Sequence, residues 1–251
     1  ERAAYIKYKD AIDLYISNNP DAVMISHSWY GYELMLKLKY PSLKTMHTFH
    51  APGGWQIPKD KKLKDMFYNN DFHFIGVSKS HAESLSEQMD FVPVDYIYNG
   101  VDPLEYPIRF ENKKYDLAFV GVMNVGKGPL KLLNWVKHNK IDLNIIMAGE
   151  EINIQDPSYT QKVRDLASQI KNIDYLGEVS NGMKKDIYAK SKMLVYPFVV
   201  PWSEPFNLTA VESMMTGTPV MMMANGSANE LIGDDTNMQI FKPSYEYSEY
   251  F

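Results

Sequence analysis

Several short stretches of this chain are apolar at almost every position, and they alternate with segments of helical spacing. "YDLAFVG" (115–121), "LNIIMAG" (143–149), "IDYLG" (173–177), "KMLVYP" (192–197) and "PVMMMA" (219–224) read as strands, with helical patterns near 128–138, 158–170, 181–190 and 207–216 between them. A strand with one wet face alternates apolar and polar residues. One that is apolar throughout must be covered on both faces, the condition of a parallel sheet between helical layers. The chain is therefore expected to be α/β.

The first part repeats the order. "AVMIS" (22–26), "LKTMHTF" (43–49), "FHFIGVS" (72–78) and "VDYIYNGVD" (94–102) read as strands, and Ser78 or Ser80 is placed to cap the helix that follows the third. Before them, Ala4, Tyr5, Tyr8, Ile12 and Tyr15 recur at three- and four-residue steps, which predicts a helix with one buried face. The polar, proline-containing "DPLEYPIRFENKK" (102–114) separates the two series, so two doubly wound Rossmann-like domains are expected, 1–108 and 109–251. Gly121, Gly149 and Gly177 close strands at their carboxyl ends, the edge where open parallel sheets hold ligands.

Composition removes several classes. With 251 residues, 45% hydrophobic and 23% charged, the chain can build two cores and is neither disordered nor fibrous. Twenty-six basic against thirty-one acidic residues give a net charge of −5, unlike the basic footprint of nucleic-acid or anionic-lipid binders. The absence of cysteine excludes disulfides and thiolate chemistry and suits a reducing compartment. The longest apolar run, "MLVYPFVVPW" (193–202), is shorter than a bilayer span and broken by Pro197 and Pro201. A cytoplasmic location is expected, with peripheral attachment to a membrane left open. The sequence begins at Glu1 without signal-peptide architecture and reads as a piece of something longer.

One stretch carries the chemistry. "SEPFNLTAVESMMTGTPV" (203–220) sets Glu204 before a helix of about 207–216, with Ser203 or Asn207 as cap, Glu212 inside it and Gly217-Thr218-Pro219 as its stop. The amides of Asn207, Leu208 and Thr209 would face an anion such as a diphosphate, and Glu212 could accept both hydroxyls of a cis-diol. The bland alternative is a surface Glu204 and a solvated Glu212.

The surroundings favour the first reading. "SEPFNLTAVESMMTGTPVMMMANGSANELIGDD" resembles the glutamate-x7-glutamate region of retaining GT-B glycosyltransferases of family 4 (glycosyl transferases group 1). "FHFIGVSKSHAESL", "VDYIYNGVDPLEY", "YDLAFVGVMNVGKGPLKLL" and "IDYLGEVSNGMKKDIYAKSKMLVYPF" are similar, in order, to further segments of that family, over about residues 20–240. The resemblance implies two Rossmann-like domains with a nucleotide-sugar donor in the cleft between them, truncated here at the opening strands and at the carboxyl-terminal crossover helix. It implies that Glu212 holds the ribose, that Glu204 lies against the donor sugar, and that Lys127, six residues after Gly121, meets the diphosphate. It implies transfer with retention, metal-independent and without a cofactor.

Two positions depart from the family pattern. Val122 stands where an arginine usually follows Gly121, so another cation substitutes or donor binding is weaker; Asn207 stands where glycine is usual, adding a side chain near the phosphates. In "TMHTFHAPGG" (45–54), His47 matches the histidine implied to reach the sugar's reacting region, with His50 as the alternative in case of a register error. No metal is assigned to the pair. "APGGW" (51–55) is a loop over the acceptor or a plain turn, the methionines of "ESMMTGTPVMMMA" read as core, and Glu230 as a ligand contact, a cap or a surface residue. The acceptor is open: a glycan, a lipid-linked sugar, a protein or, less in keeping with the charge, a nucleic acid. A reduced GT-B module that binds a nucleotide or a partner without turnover is the other functional class.

Overall fold

The computed structural model describes residues 2–27, 32–54, 61–69, 72–109, 111–152, 156–198, 203–232 and 240–241. Trp55, the end of the 193–202 apolar run and residues 233–235 lie outside the described residues. The chain forms two compact units, Glu1–Asn99 and Gly100–Phe251. The division falls ahead of 108/109 because the proline-containing stretch is already bonded into the second unit. Tyr106 is buried in that unit's core, the Arg109 amide donates to Thr216 O, and the Arg109 guanidinium meets Asp186 at 2.7 Å.

The first unit runs α1 (Arg2–Asn18), β1 (Val23–Ser26), α2 (Tyr32–Lys39), β2 (Lys44–Thr48), α3 (Lys61–Tyr68), β3 (Phe72–Gly76), α4 (Lys79–Gln88) and β4 (Val94–Tyr96). Among the described residues its strands are parallel and lie in chain order, β1-β2-β3-β4. Phe67, Phe72 and Phe74 build its core with ring centroids 5.4–5.8 Å apart, joined by Phe49, Leu85, Met89 and Val92. Ser78 is the cap of α4, its hydroxyl accepting from the His81 amide.

Of the apolar face expected on α1, Ile12 is half-buried and two tyrosines are exposed. Tyr8 is 53% and Tyr15 64% exposed, and the helix is instead tied down by Asp13, which takes Lys39 Nζ at 2.5 Å and the Tyr40 hydroxyl at 3.0 Å. Spacing reports that a helix has an apolar stripe; whether something covers it is decided elsewhere in the chain.

The second unit contains β5 (Leu117–Val120), α5 (Pro129–His138), β6 (Ile145–Ala148), α6 (Tyr159–Ser168), β7 (Ile173–Gly177), α7 (Asn181–Ala189), β8 (Leu194–Tyr196), α8 (Leu208–Met215), β9 (Val220–Met223), α9 (Ala228–Ile232) and β10 (Ile240–Phe241). Every residue of β5, β6 and β8 is buried, as continuously apolar strands require. The parallel order is β10-β9-β8-β5-β6-β7. Successive strands step outward from β5 to β7, and the chain then returns to the other side of β5 with β8. Met222 is buried, and Met214, Met215, Met221 and Met223 pack against the same core.

Candidate functional site

A doubly wound sheet opens a crevice where its strand order reverses, at the carboxyl ends of the two flanking strands. Here those are β5 and β8, and the loops that follow them are pressed together. The Tyr196 hydroxyl, at the end of β8, donates to Val120 O at the end of β5. A side chain at Gly121 would begin 2.8 Å from that hydroxyl, and one at Gly128 would begin 2.3 Å from Pro197 O. Gly128 is also left-handed, with φ of 76°, so the turn into α5 and the close crossing both require glycine there.

This closeness brings Lys127 to Glu204. The Lys127 amide donates to Asn124 Oδ1 at 2.9 Å, and its ammonium pairs with Glu204 Oε2. The same ammonium stands 5.9 Å from the Tyr196 ring centroid and 5.6 Å from that of Phe198, within cation–π range. Both side chains of the ion pair are largely covered, 18% and 15% exposed. Behind Glu204, its carbonyl accepts from the Ser227 amide at 3.2 Å. A Cβ at Gly226, where φ is 55°, would meet that carbonyl oxygen at 2.2 Å.

Helix α8 starts four residues after Glu204. Asn207 is its cap, with Oδ1 accepting from the Ala210 amide at 3.1 Å, and its φ of −92° is one any residue adopts. The Asn207 side chain is buried, and its Nδ2 has no hydrogen-bond partner. The first bond within the helix runs from the Val211 amide to Asn207 O at 3.3 Å, so the amides of Leu208 and Thr209 precede the ladder at its positive end. The helix stops in a Schellman turn, the Gly217 and Thr218 amides bonding Met214 O and Ser213 O at 3.0 Å.

Glu212 sits one turn into α8 and is also paired. Lys184, on α7, reaches Oε1 at 3.0 Å and Oε2 at 2.9 Å, and the Tyr188 hydroxyl donates to Oε2 at 2.8 Å. Burial first, and then the Glu212 charge, push the hydroxyls of Tyr188 and Tyr106 well above the usual tyrosine range. Each of the two glutamates is thus held by one lysine, Glu204 by Lys127 and Glu212 by Lys184.

The profile of the glycosyl transferases group 1 family matches residues 105–250, and that of glycosyltransferase family 4 matches residues 2–104. The chain belongs to the glycosyl transferases group 1 family. An uncharacterized glycosyltransferase of Methanocaldococcus jannaschii is 25% identical over 249 residues, 86% of this chain and 60% of that one. Sucrose-phosphate synthase from Thermosynechococcus elongatus superposes with a TM-score of 0.72 at 16% identity, over 95% of this chain and 65% of its own. Anabaena HepE, solved with UDP and glucose, does so with a TM-score of 0.64 at 12% identity, over 88% and 64%. The chain therefore spans less than two thirds of these relatives, and its fold is of the GT-B class.

Within this group 1 chain, Gly121, Lys127, Glu204, Asn207, Leu208, Thr209 and Glu212 all lie on the second unit around β5, β8 and α8. His47 lies on the first unit, fully buried on β2, its Nδ1 bonded to Ser26 Oγ at 2.7 Å. His50 lies past the end of β2, its Nε2 2.8 Å from His27 Nδ1, so one proton is shared in that contact. Burial, then the charges of His27 and His47, lower its pKa. Among the described residues no group of three or more His, Cys, Asp or Glu could hold a metal ion, and no helix is long and apolar enough to cross a membrane. Lys184 and Tyr188 escaped the sequence reading. Their four-residue spacing, which puts an ammonium and a phenol on one face of a predicted helix, was the available signal.

Proposed function

We propose that this chain is the catalytic part of a glycosyltransferase that moves a sugar from a nucleotide-diphosphate sugar to an acceptor hydroxyl with retention of anomeric configuration. The observation that carries this is the ion pair between Lys127 and Glu204 ahead of α8, with Glu204 eight residues before Glu212. A donor laid along this element would place its diphosphate at the Leu208 and Thr209 amides and Lys127, its sugar against Glu204 and its ribose at Glu212. Family membership and the UDP and glucose held by HepE support the same reading.

The diphosphate leaves as charge grows on its bridging oxygen, and an ammonium and helix amides fixed in a partly dry site stabilise that charge. The acceptor oxygen forms its bond to the anomeric carbon on the face the diphosphate leaves, and the acceptor proton passes to the departing phosphate oxygen. This route requires no protein nucleophile.

The test is to incubate the intact protein with a panel of nucleotide sugars, measure released nucleoside diphosphate, and read the anomeric configuration of the product by NMR. Release is expected with one donor class, with Lys127→Ala and Glu212→Ala reducing it strongly. Binding without release in the presence of acceptors would instead favour the nucleotide-binding module, a reading to which Val122 in place of the usual arginine lends weight. Inverted product would overturn retention.

A further inference from the structure

Protein donors almost saturate Glu212. A carboxylate offers about four acceptor positions, two on each oxygen. Lys184 takes one on each, at 3.0 and 2.9 Å, and Tyr188 takes the second on Oε2 at 2.8 Å. Oε2 is then full, Oε1 has at most one position open, and the Tyr106 hydroxyl also bonds this carboxylate. A cis-diol that gives one hydroxyl to each oxygen cannot enter this arrangement, so one of the present donors must leave. Tyr188 and Tyr106 are both buried in the core of the unit, which holds their hydroxyls in place. Lys184 is 21% exposed at the side chain and carries its charge on a flexible four-carbon stem.

We propose that Lys184 gates the ribose position. Its ammonium sits on Glu212, and the two ribose hydroxyls of the nucleotide enter by displacing it, each donating to one carboxylate oxygen. The exchange makes and breaks only hydrogen bonds, and the ammonium keeps its proton. This rests on the donor-site reading above and adds selection to it. A nucleoside diphosphate brings the diol that opens the gate, whereas pyrophosphate reaches the amides of α8 and leaves the gate closed. Lys184 is thus a specificity-determining residue that acts through Glu212.

Calorimetric titration of the intact protein with UDP, GDP, ADP and inorganic pyrophosphate tests this in the wild type, Lys184→Met and Lys184→Arg. Lys184→Met keeps the stem and removes the charge. It is expected to bind the nucleoside diphosphate preferred by the wild type about fivefold more tightly, the scale of a partly exposed ion pair. Pyrophosphate affinity should change by less than about twofold, since the pair it would have to break is not in its path. Lys184→Arg, whose fork can span both carboxylate oxygens, should bind at wild-type strength or more weakly. Equal or weaker nucleotide binding by Lys184→Met, or an equal gain for pyrophosphate, overturns the gate while leaving the donor site standing. If Lys184→Met does not fold, judged by its melting curve, Lys184→Gln is read by the same criteria. Failure of the wild type to bind any of the three nucleotides overturns the donor site and the gate together.

Discussion

The second unit's strand order turns back on itself at β5 and β8, whereas the described strands of the first unit run in one direction from β1 to β4. The reversal makes two loops from distant parts of the chain meet, and this is why a lysine after β5 can hold a glutamate after β8. The charge chemistry differs in the same way. His27, His47, His50, His73 and His81 belong to the first unit and only His138 to the second, whose site is built from lysine and glutamate. Imidazoles are concentrated on one unit, and the lysine–glutamate pairs around α8 lie on the other.

The contrast breaks most severely at the core. Phe119→Ala removes a fully buried ring from β5 and should cost about 3–5 kcal/mol, a typical penalty for an aromatic truncated inside a packed core. Hydrogen exchange is expected to lose protection across the second sheet while β2 and β3 stay protected. Equal loss in both sheets would show that the units unfold as one body. Next in size is Lys127→Ala. On the proposed role at the leaving group, its loss should lower turnover by about 10²–10³-fold, and because the pair is largely covered the stranded Glu204 charge should lower the melting temperature as well. Turnover within about threefold of the wild type would remove Lys127 from the chemistry.

Asn207 sharpens the comparison on a smaller scale. Asn207→Ala should destabilise by about 1 kcal/mol through the lost cap, and Asn207→Gly by only a few tenths. Denaturant midpoints that coincide for the two variants would show that the cap is not what this side chain contributes.

Acid should act on the first unit before the second. The His81 imidazole accepts from the Val77 amide and meets Ala51 O at 2.8 Å, and burial holds its pKa below 6.5. The unfolded chain therefore binds a proton that the folded one resists, and stability present above about pH 6.5 is lost as pH falls below it. In the second unit Asp156 is lowered to about 2, chiefly by the Ser158 hydroxyl, so its contribution is lost only as pH falls from 3.8 toward that value. Melting curves at pH 7.5 and 5.5 should show the first unit weakening, and His81→Gln should shrink the difference; an unchanged difference would exclude His81 as its source. The smallest effect is expected on α1, where Tyr15→Ser should change stability by no more than about 0.5 kcal/mol because the ring is exposed.

Parts of this molecule were legible in sequence for a clear reason. β5, β6 and β8 are apolar at every position because both faces are covered, and that pattern survives without knowledge of neighbours. The helices α2 and α3 went unread. At eight residues each they give a 3.6-residue period little room to stand out; α8 is as short, and its cap and stop residues rather than its period made it legible. The exposed stripe of α1 was misjudged because periodicity carries no record of what lies opposite. At the site, α8 and its caps were legible in a continuous stretch. The pairing of Lys127 with Glu204 joins two loops through the fold, so no local pattern encodes it. Nor does any pattern announce that Glu212 is already occupied.

Strand β1 carries a practical consequence. Among the described strands it pairs only with β2, and Val23 and Ile25 are 55% and 59% exposed. Its outer rim offers open backbone groups flanked by apolar side chains, without the lysine or proline that blunts such rims in many sheets. Left uncovered, that rim would act as an adhesive strip. Samples should thicken with concentration through strand-to-strand contact, and a single Val23→Lys should keep them dispersed.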